Sequence, residues 1–491
     1  MTSKDGYSWT EAQGLKAGVP SIGVIQPPTN LEGKDSTYDV IVVGAGYTGL
    51  ATVRDATLAG LKVLLIEARD RIGGRSWSSN IDGYPYEMGG TWVYWNQPNV
   101  WREIARYDMQ DDLESSYDFS QGINKFLLSN AKGVQKFTHE EEDTLMASAL
   151  TKLINVDGNL AKDTVRFPHS ATIEPSARKY DYMSVADRLR EIGDDLSPNE
   201  RACAEAWVLL ASGATLETSS FYELLHWWAL CDYSYEGCIN SLIHYKFRRG
   251  QSSFAIRFFQ EALSTGNLTY TFNSPVATIK ESQNGVQVIT RDGRHFSARK
   301  MVSSIPLNVL GDVKFDPPLS AGKTKAASIG HVNQTVKVHA EVAEKDLRSM
   351  TCVSYPHNSL IYGIADGTTP AGNTHVVAFG GSHSHFHPED NVKYAIDAFK
   401  GFSPMTVQRL VFHNWSRDEF AKGAWFFSGP GLLADHLQDM RASTQHIVFA
   451  CSDWAKGWRS FIDGAIEEGT RAAAQVVKAL ATDKSAAKSK L

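Results

Sequence analysis

Residues 39–49 read Asp-Val-Ile-Val-Val-Gly-Ala-Gly-Tyr-Thr-Gly, which sets an apolar strand directly before the pattern Gly44-x-Gly46-x-x-Gly49. In a dinucleotide-binding βαβ unit, the first glycine permits a tight turn and the second lets the backbone approach a pyrophosphate. The third allows close packing of helix on strand. The amino end of that helix also attracts the anion. The three glycines alone would suit a simple turn equally well. The order of strands and helix around them decides between such a turn and a dinucleotide-binding unit.

A second apolar run, residues 63–66, ends on Glu67. An acid at this point can accept hydrogen bonds from the hydroxyl groups of a ribose. Strand, glycines, helix, strand and acid therefore follow one another in the order that binds a dinucleotide. The sequence predicts a site for FAD or NAD at the start of an α/β domain.

The composition is that of an ordinary globular protein, with 491 residues, of which 42% are hydrophobic and 21% charged. A chain of this length exceeds one hydrophobic core, and we expect two closely packed domains. The formal net charge of −6 offers no general surface for polyanions, so nucleic acid is not an expected partner. Five scattered cysteines, with no C-x-x-C pair, favour a reducing compartment.

Both ends of the chain bear on its location. The first residues lack the apolar region of a signal peptide, and no apolar run is long enough to span a bilayer, so we expect a soluble protein. The last three residues, Ser489, Lys490 and Leu491, spell a peroxisomal import signal. They end an Ala-, Lys- and Ser-rich stretch, and we expect residues 481–491 to form a flexible tail that an import receptor can bind.

Patterns along the chain predict a mixed α/β (α+β) fold with two interleaved domains. Residues 138–141 and 197–200 have the form of capping boxes, which indicate helices in the middle of the chain. Short β-branched runs follow, and a long helix is expected over residues 463–480. The predicted division is an extended arm (1–37), a Rossmann-like dinucleotide-binding domain in three parts (38–120, 248–330 and 440–480), a second domain with a helical part (121–247) and a sheet part (331–439), and the tail (481–491).

Three further stretches carry a resemblance to a known family. Residues 67–76 read Glu-Ala-Arg-Asp-Arg-Ile-Gly-Gly-Arg-Ser, and residues 87–92 read Glu-Met-Gly-Gly-Thr-Trp. Residues 458–473 read Trp-Arg-Ser-Phe-Ile-Asp-Gly-Ala-Ile-Glu-Glu-Gly-Thr-Arg-Ala-Ala. Together with the glycine pattern, they resemble the flavin-containing amine oxidases, and more narrowly the soluble fungal-type monoamine oxidases. The resemblance implies that family's two-domain fold, with an FAD-binding domain and a substrate domain of mixed sheet and helices.

The resemblance also implies FAD contacts residue by residue. Arg71 and Arg75 match positions near the pyrophosphate, although a solvated basic turn would look the same. Val276 matches the position where the main chain meets the adenine, and Asp453 matches an acid near the ribityl chain. The cofactor-binding residues expected from the pattern and the resemblance are Gly44, Gly46, Gly49, Glu67, Arg71, Gly74, Arg75, Gly89, Gly90, Thr91, Val276, Asp453, Ile462 and Gly464.

Three residues match the family's reaction centre. Lys337 matches the lysine that holds a water against flavin N5, whereas most strand lysines are exposed. Trp425 and Phe461 match the two aromatic residues that flank the amine in front of the flavin, where ring faces steer the substrate nitrogen. Core packing is the plain alternative for both rings. The resemblance therefore makes Lys337, Trp425 and Phe461 the expected catalytic residues.

The chain departs from the animal monoamine oxidases at two of these positions. Ala424 stands where those enzymes carry the cysteine that bonds covalently to the flavin, so we expect FAD to be held without a covalent bond. Phe461 stands where they have a tyrosine, which removes a hydroxyl group from the aromatic pair. The substrate range is expected to differ as a result.

Further apolar residues are candidates for the substrate pocket. Ile239 and Ile243 are one helical turn apart, and Trp207, Leu210 and Trp227 belong to neighbouring apolar segments. Packing in the core explains each of the five equally well.

Three histidines alternate at positions 383, 385 and 387, a spacing that would place His383, His385 and His387 on one face of a strand and suggests a metal site. Pro388 follows, and the sequence offers no evident partner ligand. We therefore expect a solvated loop here, and no metal site.

These features predict an FAD-dependent monoamine oxidase that converts a small primary amine, dioxygen and water into an aldehyde, ammonia and hydrogen peroxide. Peroxisomes confine hydrogen peroxide, so this product agrees with the predicted import signal. Polyamine or L-amino-acid oxidation stays open, since Glu223 or Asp232 could bind a second ammonium group. An NAD-dependent dehydrogenase and a catalytically silent flavin-binding protein are more distant alternatives, and a homodimer is one assembly that the sequence leaves open.

Overall fold

The computed structural model describes residues 1–31, 37–130, 133–381 and 385–488. Its strands are β1 (Thr2–Thr10), β2 (Gly14–Pro20), β3 (Tyr38–Val43), β4 (Val63–Ile66), β5 (Ser78–Ile81), β6 (Tyr84–Glu87), β7 (Leu113–Ser115), β8 (Lys125–Asn130), β9 (Gly133–Phe137), β10 (Tyr245–Phe247), β11 (Leu268–Thr271), β12 (Val276–Ser282), β13 (Gly285–Thr290), β14 (His295–Ser303), β15 (Lys314–Asp316), β16 (Val336–Val342), β17 (Met350–Val353), β18 (Leu360–Thr368), β19 (Thr374–Gly380), β20 (Val407–His413) and β21 (Ile447–Phe449).

Its α-helices are α1 (Tyr47–Leu58), α2 (Pro98–Arg106), α3 (His139–Ile154), α4 (Arg178–Asp181), α5 (Val185–Glu191), α6 (Pro198–Ser212), α7 (Phe221–Leu230), α8 (Tyr235–Ile243), α9 (Gln251–Ser264), α10 (Leu307–Leu310), α11 (Ala321–Ile329), α12 (Val392–Lys400), α13 (Leu432–Arg441) and α14 (Ile462–Lys488). Both predicted capping boxes are confirmed. The hydroxyl of Thr138 accepts a hydrogen bond from the Glu141 amide at the start of α3, and Ser197 does the same with Glu200 at the start of α6.

An eight-stranded sheet carries the glycine pattern. Its strand order is β11-β4-β3-β14-β13-β12-β15, with β21 beside β14. β3 and β4 pair in parallel, and α1 carries the chain from one to the other, which confirms the predicted βαβ unit. α1 lies against α14 on a core that includes Val40, Val42 and Leu65. Because the strands come from residues 38–66, 268–316 and 447–449, three separate stretches of chain build this sheet.

A nine-stranded mixed sheet has the order β2-β1-β20-β16-β19-β18-β17-β8-β9. β16 and β19 at its centre are buried along their whole length. α3 and α6 pack beside β8, β17 and β18. These helices belong to the middle of the chain, so the second sheet and the helical stretch form one structural unit. The residue boundaries of the two domains stay a prediction.

The amino-terminal arm differs from its prediction. Instead of an extended arm, β1 and β2 form a hairpin, and β1 pairs with β20 of the nine-stranded sheet. The pairing register shifts between Ser3 and Tyr7, and Gly6 and Gly18 have positive φ angles. Such irregularities interrupt the alternation that marks a strand in sequence. Residues 121–247, predicted to be helical, likewise include the strands β8 and β9.

The carboxyl end differs as well. α14 continues to Lys488, through most of the segment expected to be a flexible tail. Alanine and lysine are strong helix formers, and this propensity outweighs the low-complexity composition. Ser489, Lys490 and Leu491 lie outside the described residues. In the part of the chain that the structure describes, no helix is both long and apolar enough to cross a bilayer.

Candidate active site

Elements of both sheets line a cavity of about 320 Å³. We call its first part, built on turns of the eight-stranded sheet, the glycine part; it comprises Gly44, Gly46, Tyr47, Thr48, Glu67, Arg69, Gly73, Gly74, Arg75, Ser274, Pro275, Val276 and Ser304. We call the second the aromatic part; it comprises Trp92, Trp207, Leu210, Trp227, Leu242, Ile243, Tyr362, Ile364, Phe379, Trp425 and Phe461. Gly89, Gly90, Thr91 and Lys337 also line the cavity and connect the two parts.

The glycine pattern forms the turn between β3 and α1. Gly44 has a φ angle of +102°, and its amide donates to the carbonyl of Ile66 at 2.8 Å. A Cβ at Gly44 would clash with the Ser304 hydroxyl, and one at Gly49 would clash with the Gly44 carbonyl. Gly49 does not line the cavity, so its role is the predicted close packing of helix on strand. Tyr47 and Thr48, the first residues of α1, line the cavity, so the amino end of this helix lies at the cavity wall.

Glu67 lies at the end of β4 and faces the cavity. Its carboxylate accepts hydrogen bonds from the backbone amides of Ala45 and Arg69, and burial raises its pKa above the ordinary value. These bonds fix the side chain beside the glycine turn. An acid in this position could accept a hydrogen bond from a ribose hydroxyl, and this role of Glu67 stays a prediction.

Arg75 and Asp453 form an ion pair at the cavity wall, in which the Asp453 carboxylate is fully buried. Arg75 lines the cavity and donates to the Ala424 carbonyl at 3.0 Å and to the Ser452 hydroxyl at 3.2 Å. Asp453, expected to contact the cofactor directly, does not line the cavity; it accepts from Arg75 and from the Leu307 amide. Burial alone would raise the pKa of Asp453, but the charges of Arg75 and His331 and the hydrogen bonds from Arg75 and the Leu307 amide together lower that pKa below its ordinary value. Asp453 therefore orients Arg75.

Two other expected cofactor residues lie away from the cavity. Arg71 is fully buried and pairs with Asp5 of β1 at 2.8 Å. Gly464, in the first turn of α14, lies so close to the Trp458 carbonyl that a Cβ would clash with it. Gly464 is thus a packing residue, whereas Ile462, two residues earlier, lines the cavity. Val276 also lines it.

Lys337 on β16 is buried at the junction of the two parts. Its ammonium group donates to the Gly89 carbonyl at 3.2 Å and to the Thr91 hydroxyl, and it lies 4.8 Å from the centre of the Trp92 ring. Burial lowers the pKa of Lys337 to about 8, and the negative charges of Asp366 and Glu87 offset only part of that effect. The group can change its charge near neutral pH, which an exposed lysine would not do.

Trp425 and Phe461 both line the aromatic part. The Trp425 indole donates to the Ala211 carbonyl at 2.8 Å, which fixes the ring. Phe461 packs against Trp227, with ring centres 4.8 Å apart. The two aromatic residues predicted to flank the amine therefore line the same apolar part of the cavity.

Of the five candidate pocket residues, Trp207, Leu210, Trp227 and Ile243 line the cavity and Ile239 does not. Ile239 is buried in the hydrophobic core. The sequence reasoning missed other lining residues, namely Leu242, Tyr362, Ile364 and Phe379. β18 and β19 are buried on both faces, so no alternation in their sequences distinguishes the face towards the cavity.

The acids and histidines that the sequence left open lie elsewhere. Glu223 forms a buried ion pair with Arg459, and neither Glu223 nor Asp232 lines the cavity. His387 contacts Asn414, and His383 lies outside the described residues. Within the described ranges, no group of three or more His, Cys, Asp or Glu side chains is placed to hold a metal ion.

The sequence model of the flavin containing amine oxidoreductase family matches residues 47–477 of this chain. The chain belongs to this family. The pseudooxynicotine dehydrogenase of Pseudomonas sp is 27% identical over 90% of this chain and 87% of its own length. The nicotine dehydrogenase of Pseudomonas putida is 28% identical over 95% of each chain. The putrescine oxidase of Kocuria rosea is 25% identical over 90% of this chain and 95% of its own.

Solved structures of flavin amine oxidases share the fold. Wild-type putrescine oxidase bound to putrescine superimposes with a TM-score of 0.73 at 22% identity, covering 90% of this chain and 99% of that one. Cyclohexylamine oxidase from Brevibacterium oxydans gives 0.73 at 19% identity, covering 91% and 100%. The chain is thus an amine-oxidising flavoenzyme with the mixed α/β fold that its sequence predicted.

The cavity suits FAD, the cofactor that membership of a flavin amine oxidoreductase family implies. A Cβ at Gly74 would lie 3.1 Å from the Cα of Gly46, so the absence of side chains lets these two stretches of backbone pack directly against each other at the cavity wall. Glu67 could accept hydrogen bonds from the ribose, and Arg75 could contact a negatively charged group of the cofactor. Gly90 has no side chain, so the main chain beside Thr91 is open to the cavity. The glycine part would therefore hold the nucleotide, and the flavin ring would meet Lys337.

Proposed function

We propose that this enzyme oxidises small, apolar primary amines with dioxygen, producing an aldehyde, ammonia and hydrogen peroxide. The observation that carries the proposal is the charge distribution of the cavity. Among the described residues, the aromatic part contains no carboxylate and no guanidinium group. A second ammonium group or a substrate carboxylate would be desolvated there without a partner, which costs several kcal/mol.

The other charged lining residues belong to different regions. The Arg291 amide donates to the Pro275 carbonyl in the glycine part, and its side chain pairs with Glu419. Asp312 pairs with Lys422. Polyamine and amino-acid oxidation are therefore less well supported than oxidation of a monoamine.

When bound, FAD supplies the acceptor for two electrons from the amine and passes them to dioxygen. The chain's own residues do the rest. Trp425 and Phe461 hold the neutral amine in an apolar space and exclude water, which strengthens every electrostatic interaction inside. The Lys337 ammonium, held by Gly89 and Thr91, places a positive charge where negative charge develops on dioxygen.

We also propose that FAD is held without a covalent bond. Ala424 offers no nucleophile, and of the five cysteines, all within the described residues, only Cys451 lines the cavity. Burial raises the pKa of the Cys451 thiol, and its sulfur lies 3.7 Å from an Arg75 nitrogen. A thiol that stays protonated is a poor nucleophile. Acid precipitation should leave the yellow colour in the supernatant; colour in the pellet would reject this point.

A panel of amines assayed for peroxide release tests the substrate class. Benzylamine and short alkylamines should be oxidised, with kcat/KM at least about tenfold above putrescine and an L-amino acid. Nicotine belongs in the panel because two relatives bear its name. Preference for putrescine would favour a polyamine oxidase, and peroxide release from no amine in the panel would reject amine oxidation by dioxygen.

We propose a peroxisomal location from Ser489, Lys490 and Leu491. A fluorescent protein fused ahead of the full chain should accumulate in peroxisomes. Removal of the last three residues should disperse it through the cytosol. Peroxisomal signal that survives the deletion would reject the tripeptide as the address.

A further inference from the structure

The segment from the last residue of β4 to Ser76, residues 66–76, has two faces, and we call it the cofactor turn. Residues 66–69 and 73–76 line the cavity. The three residues between them, Asp70, Arg71 and Ile72, bind the amino-terminal segment instead. Three amino-terminal groups bind Asp70: its carboxylate accepts from the Ser3 hydroxyl and the Lys4 amide, both at 2.8 Å, and its carbonyl accepts from the Ile25 amide at 3.1 Å.

The same segment also binds Ile72 and Arg71. The Ile72 amide donates to the Gly23 carbonyl at 3.0 Å. One oxygen of the Asp5 carboxylate lies 2.9 Å from Nε and 2.8 Å from Nη2 of Arg71, and 2.9 Å from Nη1 of Arg69. Every residue on the outer face of the cofactor turn is thus tied to residues 3–25.

Arg71 transmits this contact to the cavity. Its Nη1 donates to the Gly74 carbonyl at 2.8 Å, and Gly74 lines the cavity and packs directly against Gly46 of the glycine pattern. The Asp5 carboxylate therefore reaches the cavity wall through one side chain and one hydrogen bond.

The charges make Asp5 the critical partner. The Arg71 side chain is fully buried against the Trp77 ring, 4.1 Å from its centre. Among the described residues, Asp5 is the one carboxylate within 4.0 Å of Arg71, whereas Arg69 has a second partner in Asp418. A buried guanidinium group that loses its counterion is strongly destabilised. Without Asp5, we expect the turn to rearrange so that the Arg71 guanidinium group reaches water.

We propose that the amino-terminal hairpin clamps the cofactor turn, and that Asp5 is a positioning residue for FAD. The inference rests on the proposed binding of FAD in this cavity. β1 also pairs with β20, which neighbours β16 and its Lys337. The hairpin therefore connects the cofactor turn to the nine-stranded sheet that carries Lys337, and it fixes the position of one relative to the other.

Thermodynamic reciprocity gives a test on the unmodified protein. If the clamp favours FAD binding, FAD must stabilise the clamp by the same free energy. We expect hydrogen exchange at the Lys4 and Ile25 amides to be at least about tenfold slower with FAD than in apo-protein. Equal exchange with and without FAD would overturn the inference. An unmodified protein that binds no FAD would reject the proposed function itself, and the inference with it.

Three variants test the charge. Asp5→Asn should raise the dissociation constant of FAD, measured by quenching of flavin fluorescence, at least about tenfold. Asp82→Asn is the matched control, because Asp82 pairs with Arg409 outside the cofactor turn; it should stay within about twofold. Asp5→Asn combined with Arg71→Met removes both charges and should restore at least a third of the lost affinity.

A purely structural role of Asp5 gives a different pattern. Asp5→Asn would then lower the melting temperature of the apo-protein and leave the FAD dissociation constant within about twofold of the parent, which would overturn the inference. Should Asp5→Asn fail to fold, the exchange experiment on the unmodified protein decides.

Discussion

The glycine part and the aromatic part of the cavity are specified in different ways. In the glycine part, the main chain itself forms the wall, and Gly44 and Gly74 adopt φ angles that other residues rarely take. In the aromatic part, side chains from helices and from strands buried on both faces form the wall. Cofactor binding thus depends on a few irreplaceable backbone positions, whereas substrate choice depends on side chains that can be exchanged without changing the fold.

The largest effect should come from adding one carbon to the glycine turn. Gly44→Ala combines a positive φ angle with a clash against the Ser304 hydroxyl, and we expect FAD affinity to fall by about a hundredfold or more. Gly60→Ala is the control, since Gly60 also has a positive φ angle but open space around it. It should lower stability by about 1 kcal/mol and leave the FAD dissociation constant unchanged. Equal losses of affinity in both variants would contradict a wall built by close backbone approach.

This contrast explains how much of the site could be predicted. The glycine turn and Glu67 were predicted from local sequence because each role depends on neighbours within one βαβ unit. Arg71 was misassigned because its partner Asp5 lies 66 residues away in sequence. Asp5 belongs to a hairpin that was not predicted, since its irregular pairing register breaks the alternation typical of strands. Spacing alone could not separate Arg71, which is buried outside the cavity, from Arg75, which lines it.

The aromatic part could be predicted only through resemblance. Phe379 and Tyr362 lie on strands that are buried on both faces, so nothing in their local sequence marks them as cavity residues. Ile239 and Ile243 illustrate the same limit, because both are largely buried and only Ile243 reaches the cavity. Helical spacing predicted that both lie on one apolar face of α8. Which of the two reaches the cavity depends on tertiary packing, which local sequence does not give.

The junction of the two parts should give the next largest effect. Lys337→Met removes the ammonium group beside Gly89 and Thr91, and we expect the reaction of reduced enzyme with dioxygen to slow by roughly 10- to 100-fold. Stopped-flow absorbance of the flavin measures this rate. Lys323→Met is a matched control: Lys323 is also buried with a pKa lowered to about 8 by burial, but it lies outside the cavity. An equal slowing in both variants would indicate a general loss of stability.

The pH dependence should sharpen that distinction. With its pKa lowered to about 8 by burial, Lys337 is charged below pH 8 and neutral above it. The rate of reaction with dioxygen should therefore be highest below pH 8 and fall as the pH rises through that value, approaching the rate of Lys337→Met. Lys323→Met should keep this profile. A break near pH 8 that persists in Lys337→Met would assign the titration to another group.

The smallest effect should separate two isoleucines on one helix. Ile243→Ala enlarges the aromatic part of the cavity, so kcat/KM for a bulky amine should rise about five- to tenfold relative to a short alkylamine. Ile239→Ala creates its void in the core instead, and it should lower the free energy of unfolding by about 2–5 kcal/mol without changing that ratio. Peroxide assays with the two amines and a denaturant titration measure both outcomes. A specificity change in Ile239→Ala would mean that the core behind α8 and the substrate cavity are coupled, and the boundary between packing and pocket residues would then have to be redrawn.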